Sequence, residues 1–269
     1  MFFELFRHKD KYNLGYFCTP LVWHCNLNCR YCDHFSPISE KKFFNINQLK
    51  KDFKEIKKHF NIQSIGLMGG EPLLHPDISD ILKMTRKIFP DTYLMLFTNG
   101  ILLNKQDENF WNVCAENKII VRITRYPINI NEQSVLQKAF NHKVRIEWEG
   151  VQNSKYKTMH KIALDIEGKQ NAKIMYNDCW HRKICCYFED GKFYRCPTSG
   201  NISHFNKYFK KNLELTVNDY LDIYKIKNKE QINKFFSSYA DFCRYCNIHE
   251  EKGNLPFEVS KKDIKDWCL

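Results

Sequence analysis

Long apolar runs are missing from this sequence. None approaches the roughly 18 residues that a membrane-spanning helix needs. The opening residues, MFFELFRHKDKYNLGY, lose their apolar character after a few positions, so they lack the hydrophobic segment of a secretory signal peptide. Internal repeats and low-complexity linkers are also absent. We therefore expect a cytoplasmic protein with no membrane partner, and a hydrophobic content of 43% with 15% aromatic residues supports a folded core.

Acidic residues are in deficit, with 31 Asp and Glu against 42 Lys and Arg, which gives a formal net charge of +11. Such an excess is typical of nucleic-acid-binding proteins, but the lysines are scattered over amphipathic faces, which favours an ordinary solvated surface. We therefore do not expect nucleic acid as the partner. A small anionic substrate is compatible with the excess, although the composition implicates no single residue.

Five apolar runs have the length and composition of buried strands: YFCTPLVW (16–23), SIGLMGG (64–70), TYLMLFTNG (92–100), KIIVRIT (118–124) and KVRIEWE (143–149). Helical periodicity fills the gaps between them. Residues 45–60 repeat apolar side chains at three- and four-residue steps behind a cap at Asn45 or Asn47, and residues 75–90 do so behind Asp77. Such alternation predicts an α/β fold with a parallel sheet and right-handed crossovers.

From about residue 150 this rhythm changes to loops that contain Cys, Asp, Asn and Gly, followed by Lys-rich helical stretches near 216–238. We place a domain boundary near residue 165. It divides the chain into a first domain, 14–165, and a second domain, 166–269.

Twelve cysteines are present, and because cytoplasmic thiols are kept reduced, metal or cluster ligation is expected before a disulfide framework. Cys25, Cys29 and Cys32 lie together in HCNLNCRYCDHF, directly after a predicted strand, where α/β sheets place their chemistry. Structural zinc usually takes a fourth protein ligand, whereas a four-iron cluster held by three cysteines leaves one iron open. The residues between these cysteines are polar, which argues against three core thiols.

This loop resembles the signature of radical S-adenosylmethionine (SAM) enzymes, matched by Cys25, Cys29, Tyr31 and Cys32. The resemblance implies a [4Fe–4S] cluster whose open iron chelates the amino and carboxyl groups of SAM. Reductive cleavage then yields a 5′-deoxyadenosyl radical, which removes a hydrogen atom from the substrate. It further implies a partial (β/α)6 TIM-like barrel over roughly residues 14–150, and a flavodoxin- or ferredoxin-type reductant as a partner.

Two later segments resemble further motifs of this family. In MGGEP, Gly69 and Gly70 would let the backbone approach the SAM amino group and Glu71 would accept a hydrogen bond from it. In TNG, Asn99 would face the ribose of SAM. Each motif alone is also typical of an ordinary turn. The cysteine loop, MGGEP and TNG follow three successive predicted strands, and this order supports their interpretation as SAM-binding motifs. The segments VRITRYP and VRIEWEG both compete for the remaining SAM contacts, so their charged residues are unassigned.

A second set of cysteines follows. Residues 189–192 predict a hairpin turn that returns Cys196 towards Cys179, and Cys243 and Cys246 form a local pair. The set resembles the ligands of a twitch or SPASM-like auxiliary domain and implies one auxiliary [4Fe–4S] cluster, with structural zinc as the alternative. Other cysteines have no assigned role in ligation: Cys18 and Cys114, which we expect in the core, and Cys185, Cys186 and Cys268, whose roles are open.

The single closed auxiliary cluster resembles the aminocyclitol dehydrogenase type of radical SAM enzyme known from butirosin biosynthesis. That likeness implies oxidation of a hydroxyl on a sugar- or cyclitol-like molecule, with an electron passed to the auxiliary cluster. Peptide modification and carbohydrate epimerisation are alternatives within the family. A zinc- or cluster-containing nucleic-acid-binding module is the alternative from another class. The sequence assigns no catalytic residue, and it leaves the substrate unidentified.

Overall fold

The computed structural model describes residues 10–149, 156–161, 163–183 and 186–268. Within them no helix is long and apolar enough to cross a membrane. The strands are β1 (Tyr12–Val22), β2 (Phe60–Gly69), β3 (Tyr93–Thr98), β4 (Ile120–Thr124), β5 (Ile146–Glu149), β6 (Met159–Lys161), β7 (Tyr187–Glu189), β8 (Lys192–Tyr194), β9 (Tyr220–Asp222) and β10 (Lys252–Leu255). The α-helices are α1 (Ile46–His59), α2 (Ile78–Ile88), α3 (Glu108–Glu116), α4 (Glu132–Asn141), α5 (Ala172–Asp178), α6 (Pro197–Phe209) and α7 (Lys229–Ser237).

The first half of the chain forms a parallel sheet. Strands β1 to β5 follow one another in the order β5-β4-β3-β2-β1, and α1 to α4 connect them in turn. All five predicted apolar runs lie on these strands, so the predicted α/β alternation is confirmed. Residues 10–149 thus contribute five parallel strands and four intervening helices, while β6 pairs with β10 in a separate two-stranded sheet.

Local sequence explains how α1 and α2 begin. The Asn45 side chain accepts hydrogen bonds from the backbone N–H groups of Asn47 and Gln48, so Asn45 is the cap of α1. Asp77 stands at the start of α2 but makes no capping bond with its side chain. Its backbone N–H donates to Nδ1 of His75 instead, because the preceding turn brings that imidazole under the helix.

The second half of the chain extends the same sheet. β7 pairs with β1 in parallel at Tyr187 and Cys18, and β8 and β9 add antiparallel strands beyond it. The predicted hairpin turn joins β7 to β8, with Glu189 opposite Lys192. Asp190 and Gly191 both have positive φ, 44° and 75°, which is the conformation that a tight two-residue hairpin requires.

Two hydrophobic clusters hold the molecule together, and each draws residues from both sides of position 165. The larger contains Phe17 and Ile65 of the parallel sheet together with Phe188 and Phe193 of the hairpin. The smaller joins Phe35 to residues such as Phe205 and Trp267. The predicted division into two domains therefore stays a prediction, because the two parts share a sheet and both clusters.

Candidate cofactor and substrate site

A cavity of about 630 Å³ opens at the carboxyl ends of the parallel strands. Its volume is in the range typical of small-molecule and cofactor sites. The motif residues that line it come from three successive strand ends, as the sequence predicted: Cys25, Cys29, Tyr31, Cys32, Gly69, Gly70 and Asn99. Parallel strands bring their carboxyl ends to one edge, so residues up to 74 positions apart meet there.

The three clustered thiols lie deep in this cavity wall. Burial raises the pKa of Cys25 and Cys32, and it raises the pKa of Cys29 to about 12. The Cys25 Sγ accepts a hydrogen bond from the backbone N–H of Leu27 at 3.3 Å. A bound cluster would offset the cost of ionising these thiols through metal–sulfur bonds, so the donor set fits three-cysteine ligation.

The described residues contain no group of three or more His, Cys, Asp or Glu side chains arranged to hold a single metal ion. This applies to both cysteine sets. Their roles as ligands stay predictions.

The two glycines of MGGEP are required by close backbone packing. A Cβ on Gly70 would lie 1.9 Å from the His24 carbonyl oxygen, and one on Gly69 would lie 2.2 Å from that of Val22. Gly69 also has a φ of +135°, a backbone angle that residues with a side chain rarely adopt. The Gly70 N–H donates to the Val22 carbonyl at 2.9 Å. The pair therefore joins the end of β2 to the start of the cysteine loop as well as lining the cavity.

Glu71 is not among the residues that line the cavity, and its predicted contact with SAM stays a prediction. Its side chain is fully buried and accepts hydrogen bonds from Thr98 Oγ1 at 2.7 Å and from the backbone N–H groups of Leu73 and Asn99 at 3.1 and 2.9 Å. Burial raises the pKa of this carboxyl to about 7, although the three hydrogen bonds act in the opposite direction. Two of these three hydrogen bonds come from Thr98 and Asn99, so Glu71 holds the TNG turn in place.

Asn99 connects the TNG turn to the cysteine loop. Its Nδ2 donates to Asn26 Oδ1 at 2.7 Å and lies 3.7 Å from Cys25 Sγ, while its Oδ1 accepts from the Ile101 N–H at 3.0 Å. Tyr31 lines the cavity with a left-handed φ of 66°, and the guanidinium of Arg30 lies 4.7 Å from its ring centroid.

The segment after β4 contributes a residue that the sequence did not single out. Tyr126 lines the cavity and hydrogen-bonds with Cys29, and burial raises its pKa well above the ordinary value. Arg122 also lines the cavity and pairs with Glu147 at 3.6 Å. Arg125 points elsewhere, because it pairs with Glu132 at 2.8 Å. An aromatic residue two positions past a strand end was the available signal for Tyr126.

The four cysteines of the second set lie near enough for their thiols to affect one another's pKa. Cys179 follows α5, Cys196 precedes α6, and Cys243 and Cys246 lie at a short 3-10 helix over Asp241–Tyr245. Burial raises the pKa of all four thiols. The nearby thiols of the set raise the pKa of Cys243 and Cys246 further. Three of the four line a small second cavity of about 40 Å³.

The remaining cysteines were not predicted as ligands. Cys114 is fully buried in the larger cluster and Cys268 is buried in the smaller one. Cys18 is buried as expected, but it also lines the large cavity, and its thiol donates to the Cys186 carbonyl oxygen. Cys185 falls outside the described residues.

A wall of polar and aromatic side chains separates the two cavities. His181 lines both of them. Its ring stacks on Trp180 with 3.8 Å between centroids, and Glu251 lies 3.8 Å from His181 and 4.0 Å from His160. Asp33 also lines the large cavity, and its carboxylate interacts electrostatically with His181. The wall thus places one imidazole between the candidate substrate space and the second cysteine set.

Residues 257–268, here called the C-terminal strap, pack across the cysteine loop. Ser260 N–H donates to the Asn28 carbonyl at 2.8 Å, and Arg30 N–H donates to that of Glu258 at the same distance. The indole N–H of Trp267 donates to the Cys32 carbonyl at 2.8 Å. The strap therefore fixes the loop from its outer side.

Comparison with known proteins identifies the first half of the chain. Residues 23–146 match the family model described as the radical SAM superfamily. This match covers slightly under half of the chain, and it implies a radical SAM domain, the type of domain that binds SAM and a [4Fe–4S] cluster. A protein of Methanocaldococcus jannaschii named for glycyl-radical enzyme activation is 35% identical over 85 residues, covering 32% of each chain. The GTP 3′,8-cyclase of Clostridium perfringens is 37% identical over 100 residues, covering 35% of this chain and 31% of its own. The chain thus spans about a third of the length of these curated relatives.

A solved structure supports the fold over most of the chain. The crystal structure of BtrN in complex with AdoMet and 2-DOIA superposes with a TM-score of 0.54 at 16% identity, covering 88% of this chain and 94% of BtrN. The α/β fold with a mostly parallel sheet therefore resembles the partial barrel of radical SAM enzymes.

Proposed function

We propose, from the premise that this chain is a radical SAM enzyme, that it oxidises a hydroxyl of a sugar- or cyclitol-like small molecule to a carbonyl. The observation that carries the proposal is the second set of four cysteines, which is separated from the large cavity by the wall that contains His181. Such an oxidation removes a hydrogen atom from carbon, a proton from oxygen and one further electron. An electron acceptor beside the cavity meets the last requirement.

In this proposal Cys25, Cys29 and Cys32 hold the SAM-binding cluster, and Tyr31, Gly69, Gly70 and Asn99 line the SAM site. Cys179, Cys196, Cys243 and Cys246 hold one auxiliary [4Fe–4S] cluster. When bound, these groups supply the hydrogen-atom acceptor and the electron acceptor. Glu71 acts as a positioning residue, because its carboxylate binds the TNG turn. We retain the two predicted segments, 14–165 and 166–269, as the parts that carry the two cysteine sets.

The likeness to BtrN is compatible with this substrate class, since that protein was crystallised with AdoMet and 2-DOIA. Epimerisation is the second candidate. It needs a hydrogen-atom donor beside the substrate radical, and Cys18 places a thiol in the cavity lining. The two reactions differ in outcome, since oxidation gives a product lighter by two hydrogens and epimerisation conserves mass.

The test uses the full chain reconstituted anaerobically with iron and sulfide and then treated with dithionite and SAM. Separate aminocyclitol, sugar-phosphate, nucleotide-sugar and peptide pools are added, and 5′-deoxyadenosine and products are quantified by mass spectrometry. We expect the aminocyclitol or sugar pools to raise 5′-deoxyadenosine above a Cys25/Cys29/Cys32 triple-alanine control, with a matching carbonyl product. Stimulation by peptide alone, or a product of unchanged mass, would contradict the proposed oxidation.

A further inference from the structure

We infer that Asp33 anchors hydroxyl or amino groups of a ring-shaped polyol, with Lys157 and His160 as neighbouring donors and Trp180 as an aromatic wall. The inference rests on the proposed function, because it assigns the substrate side of the same cavity. Asp33 directly follows the last cysteine of the first set, and it belongs to none of the motifs described above.

The Asp33 carboxylate faces the cavity. It lines the cavity wall, and its side chain keeps 36% of its surface accessible although protein surrounds it. The nearest ion-pair atom, His34 Nε2, is 3.9 Å away, which is too far for a hydrogen bond. Among the described side chains none donates a hydrogen bond to this carboxylate. The backbone N–H of Asp33 itself donates to the carboxylate, and the other acceptor sites are available to a ligand.

Two hydrogen-bond donors, Lys157 and His160, line the same cavity as Asp33. Lys157 lines it and forms no ion pair with the described residues, while its backbone N–H donates to the Arg125 carbonyl at 2.7 Å and fixes its position. His160 is 41% accessible and lies 4.0 Å from Glu251. Lys157 and His181 lie close enough to favour the charged form of Asp33, but no described side chain donates a hydrogen bond to its carboxylate. A molecule with several hydroxyl groups can bind both Asp33 and Lys157.

The aromatic wall completes the subsite. Trp180 lines the cavity, is 38% exposed, and is held in place by its stack on His181 and by an indole N–H that donates to Glu251 Oε1 at 3.3 Å. The flat apolar face of a saturated ring packs well against such a surface, while its hydroxyl groups reach the polar residues at the edge. A carboxylate, an ammonium and an indole around one cavity therefore favour a hydroxylated or aminated ring over a peptide segment.

The location also fits the chemistry. Asp33 lies one residue after Cys32, and its charge acts on Cys196 of the second set. A hydroxyl held by Asp33 would thus lie between the two cysteine sets. The proposed oxidation requires this position, because the substrate gives its hydrogen atom to the SAM-derived radical and its electron to the auxiliary cluster.

Direct binding tests this assignment without depending on turnover. Reconstituted protein with SAM bound is titrated anaerobically with glucosamine, myo-inositol and glucose 6-phosphate, and with a short peptide as the comparison. We expect at least one of the three ring polyols to bind the wild type and to bind Asp33→Asn about tenfold to a hundredfold more weakly. Iron content and SAM affinity should be unchanged. Asp80→Asn, an exposed change on α2 with 69% of the side chain accessible, should bind as the wild type does.

Lys157→Met covers the case in which Asp33→Asn loses iron, and it should also weaken polyol binding. The inference would be overturned if Asp33→Asn kept its iron and bound the polyol as tightly as the wild type, or, where Asp33→Asn is unusable, if Lys157→Met did so. It would also be overturned if the wild type bound only the peptide or bound no polyol. A polyol that binds through Asp33 yet yields no carbonyl product would contradict the proposed oxidation and leave this subsite standing.

Discussion

Replacing Asp266 tests how strongly the C-terminal strap holds the cysteine loop. Asp266 is only 2% exposed and accepts from Arg30 Nε at 2.8 Å and from Ser260 Oγ at 2.7 Å. Arg30 is the residue between Cys29 and Tyr31, so this ion pair joins the strap to the loop that carries the first cysteine set. Asp266→Asn removes the charge while keeping the size of the side chain.

The expected cost follows from the burial of the two partners. Breaking a fully buried ion pair costs about 3 to 5 kcal/mol, but Arg30 is 30% exposed and retains its pair with Glu258. We therefore expect the loss of one strong charge-assisted bond, about 2 kcal/mol. For a chain of this size that loss lowers the melting temperature by about 4 to 8 °C.

The assay compares Asp266→Asn with Glu258→Gln on the reconstituted protein under anaerobic conditions. Glu258 contacts the same guanidinium but is 48% exposed, so its replacement should cost under about 1 kcal/mol. Iron loss after dilution into chelator should also be faster in Asp266→Asn, because the strap no longer restrains the loop. Equal melting temperatures and equal iron-loss rates for the two variants would refute the reasoning.

Three further outcomes are expected. Gly70→Ala should lower the melting temperature and abolish SAM binding, because its Cβ would lie 1.9 Å from a backbone oxygen, whereas Gly15→Ala, with its nearest contact at 3.8 Å, should be tolerated. Burial raises the pKa of Glu189 to about 7 from 4.5, so folding stability should fall by about 3 kcal/mol as pH rises from about 4.5 to 7. Glu189→Gln should remove that part of the pH dependence when the free energy of unfolding is measured by urea titration at several pH values. The same change of unfolding free energy with pH in the variant and the wild type would contradict this expectation. Cys243→Ala should lose the iron of one cluster and the carbonyl product while retaining 5′-deoxyadenosine formation, and unchanged iron content would count against the auxiliary cluster.

The features that sequence predicted well depend on neighbours close along the chain. The cap at Asn45 binds N–H groups two and three positions away. A strand or an amphipathic helix is likewise indicated by the periodicity of apolar residues within its own segment. Partners far apart left no such signal. Glu71 meets Thr98 across 27 positions and Arg30 meets Asp266 across 236. The motif therefore predicts a contact between Glu71 and SAM, which stays a prediction, but it gave no sign that the protein itself uses this carboxylate to hold the TNG turn.

The boundary near residue 165 illustrates the same limit. A change in composition marked it, but strand pairing between Cys18 and Tyr187 spans it, and no local pattern reports which strand lies beside β1. Asp33 was also passed over, since an aspartate after a cysteine loop is indistinguishable by sequence from a solvated surface residue.

The pairing of β7 with β1 has a mechanical consequence. β1 leads directly into the first cysteine set, and the hairpin that begins with β7 leads to Cys196. Side-chain bonds reinforce the junction, since Trp23 Nε1 donates to Glu189 Oε1 at 2.7 Å. The position of Cys196 relative to the first set is therefore fixed by strand pairing and by this side-chain hydrogen bond. We expect this junction to keep the distance between Cys196 and the first set nearly constant, which would favour electron transfer between two clusters held there.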